Sequence, residues 1–302
     1  MAYYQIGQFY GLMESLALWA ALGVLWFLYR YVNEKRVGAF LMANVLYFAV
    51  CFIHERYMAL LPLLLMAVVL GFGKGLAPET VTVEPERNSE PDRAAKPGRS
   101  RGRGQSRGAQ NKKETAVRTA ATEKKADSRF PKSLLFVITL FVFGAIQMIR
   151  LYTIGTLSPA GTGGTDVADT FKFTDAIGQA LNQVGFVFGR NSGPLHLCIE
   201  PFADSPDRIK NLILAAEAIL GVGVLAAVIG MIRARDEIVC HLKNAVLFLV
   251  FITLCIGSSS VTIRVEMRWV YVAYAAALLF FAYLSRVMGK AGILVLLYGC
   301  LI

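Results

Sequence analysis

Charge is what most of this chain has little of. Charged residues make up 17% of its 302 positions against 56% hydrophobic, and the mean hydropathy is +0.52. That excess over what a globular core needs excludes an ordinary soluble domain. Cysteine is sparse as well. Of five, Cys51, Cys240, Cys255 and Cys300 fall in or beside apolar runs and only Cys198 sits in a long polar stretch, which excludes a disulfide framework and gives no metal spacing. The opening Met1-Ala2-Tyr3-Tyr4-Gln5 lacks the basic region of a cleavable signal, so the first apolar stretch is expected to be retained. Between Arg93 and Lys113 there is no acidic residue and there are eight Lys or Arg, a run that resists translocation. Large apolar side chains are nearly missing from residues 75–132. That interval cannot bury enough surface to offset chain entropy and is expected to be a long disordered cytoplasmic loop.

The apolar runs on either side predict spans at about Gly7–Tyr29, Val37–Ile53, Met58–Gly73, Ser133–Ile149, Asn211–Ile232, Asn244–Ile263 and Trp269–Ser285. Residues 291–302 are too few to cross. Val37–Ile53, with 17 residues, is at the lower limit for a hydrocarbon core of about 30 Å. Pro62 falls in the first turns of its span, where a missing donor costs least. With the N-terminus outside, 23 Lys and Arg lie inside and eight outside; the long loop, which with its edges holds 15 of the 31, decides the orientation. The net charge of +10 is therefore topological, and nucleic acid is not an expected partner. The reading is all-α: a multipass transmembrane helix bundle of about seven to eight spans in the cell membrane, with the lipid bilayer as partner and other membrane subunits left open. Its parts are a first three-span unit (1–74), the basic loop (75–132), a connecting span (133–150), an extracytoplasmic loop (151–210) and a second span unit with an incomplete terminal span (211–302).

Two outer corners look alike in this threading. His54-Glu55-Arg56-Tyr57 and Arg264-Val265-Glu266-Met267-Arg268-Trp269 each precede an inward span, and aligning Arg56 with Arg268 sets Tyr57 opposite Trp269. Spans one to three and five to seven then read as parallel copies of one unit, with the fourth span as the extra crossing that joins them. Interfacial anchoring accounts for such corners, because Arg reaches phosphate headgroups while Tyr or Trp occupies the aromatic belt. A sharper reading fits 54–57, where an acid, an imidazole and a guanidinium stand at the hydrocarbon boundary. Arg56 can clamp a phosphate, with Tyr57, Arg264, Glu266 and Arg268 as further substrate contacts, while Glu55 and His54 can hold a hydroxyl or take its proton as catalytic groups.

His54-Glu55-Arg56-Tyr57 followed by Met58-Ala59-Leu60-Leu61-Pro62 resembles the His-Glu-Arg-Tyr or His-Glu-Lys corner of polytopic glycosyltransferases of the GT-C superfamily, which use polyprenyl-phosphate sugars. The resemblance implies a multispan fold with its active site on the outer face and a lipid-phosphate donor. It makes the expected function that of a membrane glycosyltransferase-like protein or a component of cell-surface polysaccharide assembly, with a polyprenyl-phosphate sugar as partner. That family carries its catalytic acid in a large first outer loop, whereas fewer than ten residues precede the first span here. The competing expectation is a non-enzymatic multipass protein, a transporter or scaffold.

The remaining candidates are single residues or pairs. Glu14, about two turns into the first span, reads as an interfacial or helix–helix residue. Glu217 is an intramembrane carboxylate, costly unless paired, and Arg150 at the outer end of the fourth span is its expected partner. Asp166, Asp169 and Asp175 lie on an amphipathic stretch, 166–187, as helix-start and solvated residues or as carboxylates for an acceptor hydroxyl or a divalent metal, the one cofactor left open. His196 with Cys198, and Cys240 with His241, make no zinc site.

Overall fold

The computed structural model describes residues 9–71, 131–155, 172–188, 190, 206–233, 237–261, 267–288 and 292, with the side chains of 9–11, 267, 268 and 288 excepted. Residues 75–130 of the expected disordered loop, the partial terminal span apart from Gly292, and Asp166, Asp169, His196, Cys198, Arg264 and Glu266 lie outside them. The described residues form helices α1 (Phe9–Glu34), α2 (Val37–Ile53), a 3-10 segment (Glu55–Leu60), α3 (Leu61–Leu70) and α4 (Lys132–Ile154). Then come α5 (Phe173–Val187), α6 (Asp207–Arg233), α7 (Ile238–Ser260) and α8 (Met267–Met288), with no strand among the described residues. Five of these, Leu12–Glu34 within α1, α4, α6, α7 and Trp269–Val287 within α8, are long and apolar enough to cross a membrane, and α2 is a shorter apolar helix. The chain is an all-α multipass bundle.

Its surface is what a bilayer requires. Trp19, Trp26, Phe141, Tyr152, Val222 and Leu225 are exposed, an arrangement unfavourable in water and neutral against acyl chains. Inside, small residues let backbones approach: Ala17 and Ala21 of α1 are fully buried, as are Phe40, Ala43 and Tyr47 of α2. Lys35 reverses the chain between these two helices at φ 60°, its N–H closing back on Tyr31 O at 3.0 Å. The far end of α3 comes so close to α1 that a Cβ on Gly71 would stand 2.6 Å from the Tyr31 ring. Any larger residue there requires the Tyr31 ring to shift.

One expected span differs. Met58–Gly73 is divided into the 3-10 segment and the ten-residue α3, with Pro62 in the first turn of α3 as its missing N–H dictates. At their separate rises the two segments have a combined contour of about 27 Å. The division sets 54–57 in a tight turn instead of a plain helix start.

Two groups of polar contacts sit at opposite ends of the bundle. At one end Asn33 of α1 and Asn244 of α7 exchange amide hydrogen bonds, Asn33 Nδ2 donating to Asn244 Oδ1 at 2.8 Å and Asn244 Nδ2 to Asn33 Oδ1 at 3.1 Å. Cys240, also on α7, donates its thiol to Asn33 Oδ1 at 3.2 Å. Tyr283 of α8 completes the group, accepting from Asn244 at 3.3 Å and standing 2.7 Å from His241 Nδ1. The other end holds the 54–57 corner.

Candidate functional site

The corner is built by a change of helix type. His54 leaves α2 in an extended conformation, its N–H still bonded to Val50 O at 2.9 Å, and the next turn closes as 3-10 with Tyr57 N–H to His54 O at 3.2 Å. The Tyr47 hydroxyl donates to Met58 O at 3.2 Å and ties the turn to α2. At three residues per turn, successive side chains point about 120° apart while i and i+3 superpose. Adjacent Glu55 and Arg56 therefore face different helices, and His54 and Tyr57 stand edge-on to each other with ring centroids 6.4 Å apart.

Arg56 faces α1 and α8. Its Nη2 donates to Glu14 Oε2 at 3.3 Å and to the Tyr57 hydroxyl at 3.1 Å, while its guanidinium lies 5.0 Å from the Tyr57 ring centroid and 5.4 Å from that of Trp269. Only 7% of the side chain is exposed, and Nη1 is buried with no hydrogen-bond acceptor. Glu14 takes His54 on its other oxygen, Nε2 standing 3.3 Å from Oε1. Glu55 faces the opposite way, toward α4, where Arg150 Nη2 meets its Oε2 at 2.9 Å and the Arg150 side chain is 8% exposed. Glu55 Oε1 is buried without a donor. Gln147, one turn before Arg150, and Arg150 itself both donate to Met58 Sδ, at 3.5 and 3.3 Å. The result is two buried guanidinium groups and two carboxylates drawn from α1, the corner and α4, roofed by Trp269.

The sequence placed His54, Glu55, Arg56 and Tyr57 here, and the structure brings Glu14 and Trp269 to them. It also corrects one assignment. Glu217 pairs with Arg190 and not with Arg150, Arg190 Nε and Nη2 reaching its two oxygens at 2.7 and 2.8 Å. That bidentate bond raises the pKa of Arg190 above its usual value. Arg150 is committed to Glu55, because its place near the end of α4 is next to the corner. Of the further substrate contacts expected near Trp269, Arg264 and Glu266 lie outside the described residues and Arg268 is placed by its backbone alone; among the described residues Arg150 brings a second guanidinium to the site, through Glu55.

Gln147 had no part in the sequence reading, although its spacing of three from Arg150 in an apolar helix puts both on one face. Asp175 lies exposed in the first turn of α5, as a helix-start residue does. No group of three or more His, Cys, Asp or Glu able to hold a metal occurs among the described residues. Comparison with protein-family models, with curated proteins and with solved structures returns no match.

Proposed function

We propose that the chain is a membrane glycosyltransferase-like protein, a component of cell-surface polysaccharide assembly, that takes the phosphate of a polyprenyl-phosphate-linked sugar at the 54–57 corner. The observation that carries the reading is Arg56: a guanidinium almost fully buried, fixed in plane by Glu14, Tyr57 and Trp269, and holding one amino group, Nη1, without an acceptor. A buried charged donor left unmatched is costly, and a phosphate oxygen meets that need with a strong charge-assisted bond. On the other flank Glu55 Oε1 is a buried carboxylate oxygen with no donor, the chemistry required to hold or deprotonate an acceptor hydroxyl. His54 supports the same role from its bond to Glu14. Arg264, Glu266 and Arg268 flank Trp269 in the chain and would add further substrate contacts.

The His54-Glu55-Arg56-Tyr57 resemblance and the basic loop, which sets this corner on the outer face, point the same way. The test is Arg56→Lys, which keeps the charge and loses the planar fork. Binding of a labelled polyprenyl phosphate to the purified protein in detergent is expected to fall at least tenfold while abundance is kept. Unchanged binding, or none by the wild type, removes the phosphate assignment.

A second reading has its own observation. Glu14–Arg56 and Glu55–Arg150 balance each other's charge, so the group also suits a non-enzymatic transporter or scaffold in which ion pairs lock α1, α4 and the corner together. Under it no phosphate binds with either residue at position 56.

A further inference from the structure

The sequence assigns 151–210 to a single extracytoplasmic loop, and α5 lies inside it. We propose that α5 is a membrane-embedded boundary helix, with the acyl chains of the bilayer against its Phe173–Ile177–Leu181–Val184 flank and polar space on its opposite flank. The inference is independent of the phosphate reading.

Its polarity is the first ground. α5 docks on α7 and α8, and the docked face is centred on an amide: Gln183, 3% exposed, donates to Ser260 Oγ at 2.8 Å and accepts from Ser259 Oγ at 2.6 Å. Phe173, Ile177, Leu181 and Val184 are instead 72, 44, 65 and 37% exposed. At about 100° per residue these four fall within an arc of roughly 80°, centred about 115° to one side of Gln183. Asp175 and Asn182, both exposed, lie about 90° to the other side. The docked face carries Val187 and Ala180 beside the hydrogen-bonded amide, yet the larger apolar stripe is left outside, whereas a helix in water turns that stripe inward. Three faces, one docked, one apolar and one polar, are what a helix needs at the border between lipid and an aqueous space.

Depth is the second ground. The helix ends at Val187, and the next ring, Phe188, packs against Phe281 at 6.1 Å between centroids. Phe281 lies about 18 Å along α8 from Trp269. Arg190 meets Glu217, about 15 Å along α6 from Asp207. Both α6 and α8 carry candidate spans, so the C-terminal end of α5 is level with their membrane-crossing stretches and not above them. The half of the flank nearest that end, Leu181 and Val184, therefore continues the apolar surface of the spans on which the helix is docked, and the same medium covers both. Acyl chains are the occupant that fits.

Site-specific photocrosslinking tests this directly. The purified full chain, carrying benzoylphenylalanine in place of Leu181 or, in a second variant, Val184, is reconstituted in phosphatidylcholine–phosphatidylglycerol vesicles and irradiated. A mass increase equal to one phospholipid is expected from either position, at least fivefold above that from the same probe at Asp175. A covalent dimer would assign the stripe to a second copy of the chain and overturn the proposal. Equal lipid adducts from Leu181 and Asp175, or none from Leu181 and Val184, would overturn it also, since the stripe would then face no particular medium or face water.

Discussion

The guanidinium of Arg56 lies 5.4 Å from the centroid of the Trp269 indole, and this contact joins the corner after α2 to the start of α8. His54 adds an edge-on contact to the same indole at 6.1 Å. In a desolvated setting a cation over an indole is worth about 2 kcal/mol. Trp269→Leu keeps an apolar side chain at the position but removes the ring face. It is expected to lower stability by about 1–2 kcal/mol beyond its packing loss, read as thermal unfolding in detergent. In an Arg56→Met background most of that extra loss should vanish, because the cation is already gone. An equal loss in both backgrounds would make Trp269 a packing residue only.

Glu55 and Arg150 stand closer, at 2.9 Å, than Glu14 does to Arg56 or His54, at 3.3 Å, and Arg150 is buried. Removing one member of such a pair strands the other charge at low dielectric. Arg150→Met is expected to cost about 3–5 kcal/mol, and Glu55→Gln placed on top of it should recover much of the loss. The double-mutant cycle measured by denaturant unfolding should give a coupling above about 1 kcal/mol for Glu55 with Arg150 and near zero for Glu217 with Arg150. The opposite ranking would restore the pairing that chain position alone suggests.

That contrast shows where the sequence is legible. Apolar run length and the distribution of Lys and Arg are one-dimensional quantities, so the all-α class and the positions of α1, α2, α4, α6, α7 and α8 follow from them. The type of turn at 55–60 does not, because a 3-10 turn and an α-helix share the same composition and Pro62 fits the first turns of one continuous span. Pair identities are harder still. Glu14 and Arg56 lie on elements whose approach depends on how Ala17, Ala21, Ala43 and Tyr47 pack, and no local pattern encodes that. Gln183 illustrates the remainder: its partners Ser259 and Ser260 are recognisable as a pair only once α5 is docked on α7.

Glu14 separates the two readings of the site by the sign of one effect. Its carboxylate accepts from Arg56 and stands against His54, so it neutralises the guanidinium that a phosphate would need. Glu14→Gln keeps the shape and removes the charge. Stability should fall by about 1–3 kcal/mol, since a charge-assisted bond is replaced by a weaker neutral one and Arg56 is left partly uncompensated. If Arg56 is a phosphate contact, the same change frees it, and affinity for a labelled polyprenyl phosphate should rise by roughly three- to tenfold, or about 0.7–1.4 kcal/mol. Salt dependence of the binding should steepen with it, as the site gains a net positive charge. If the group is an ion-pair lock, stability falls in the same way and no affinity for the lipid appears. Titrating the wild type and Glu14→Gln side by side, at two ionic strengths and with unfolding followed on the same samples, therefore distinguishes a site that loses stability and gains ligand from one that only loses stability.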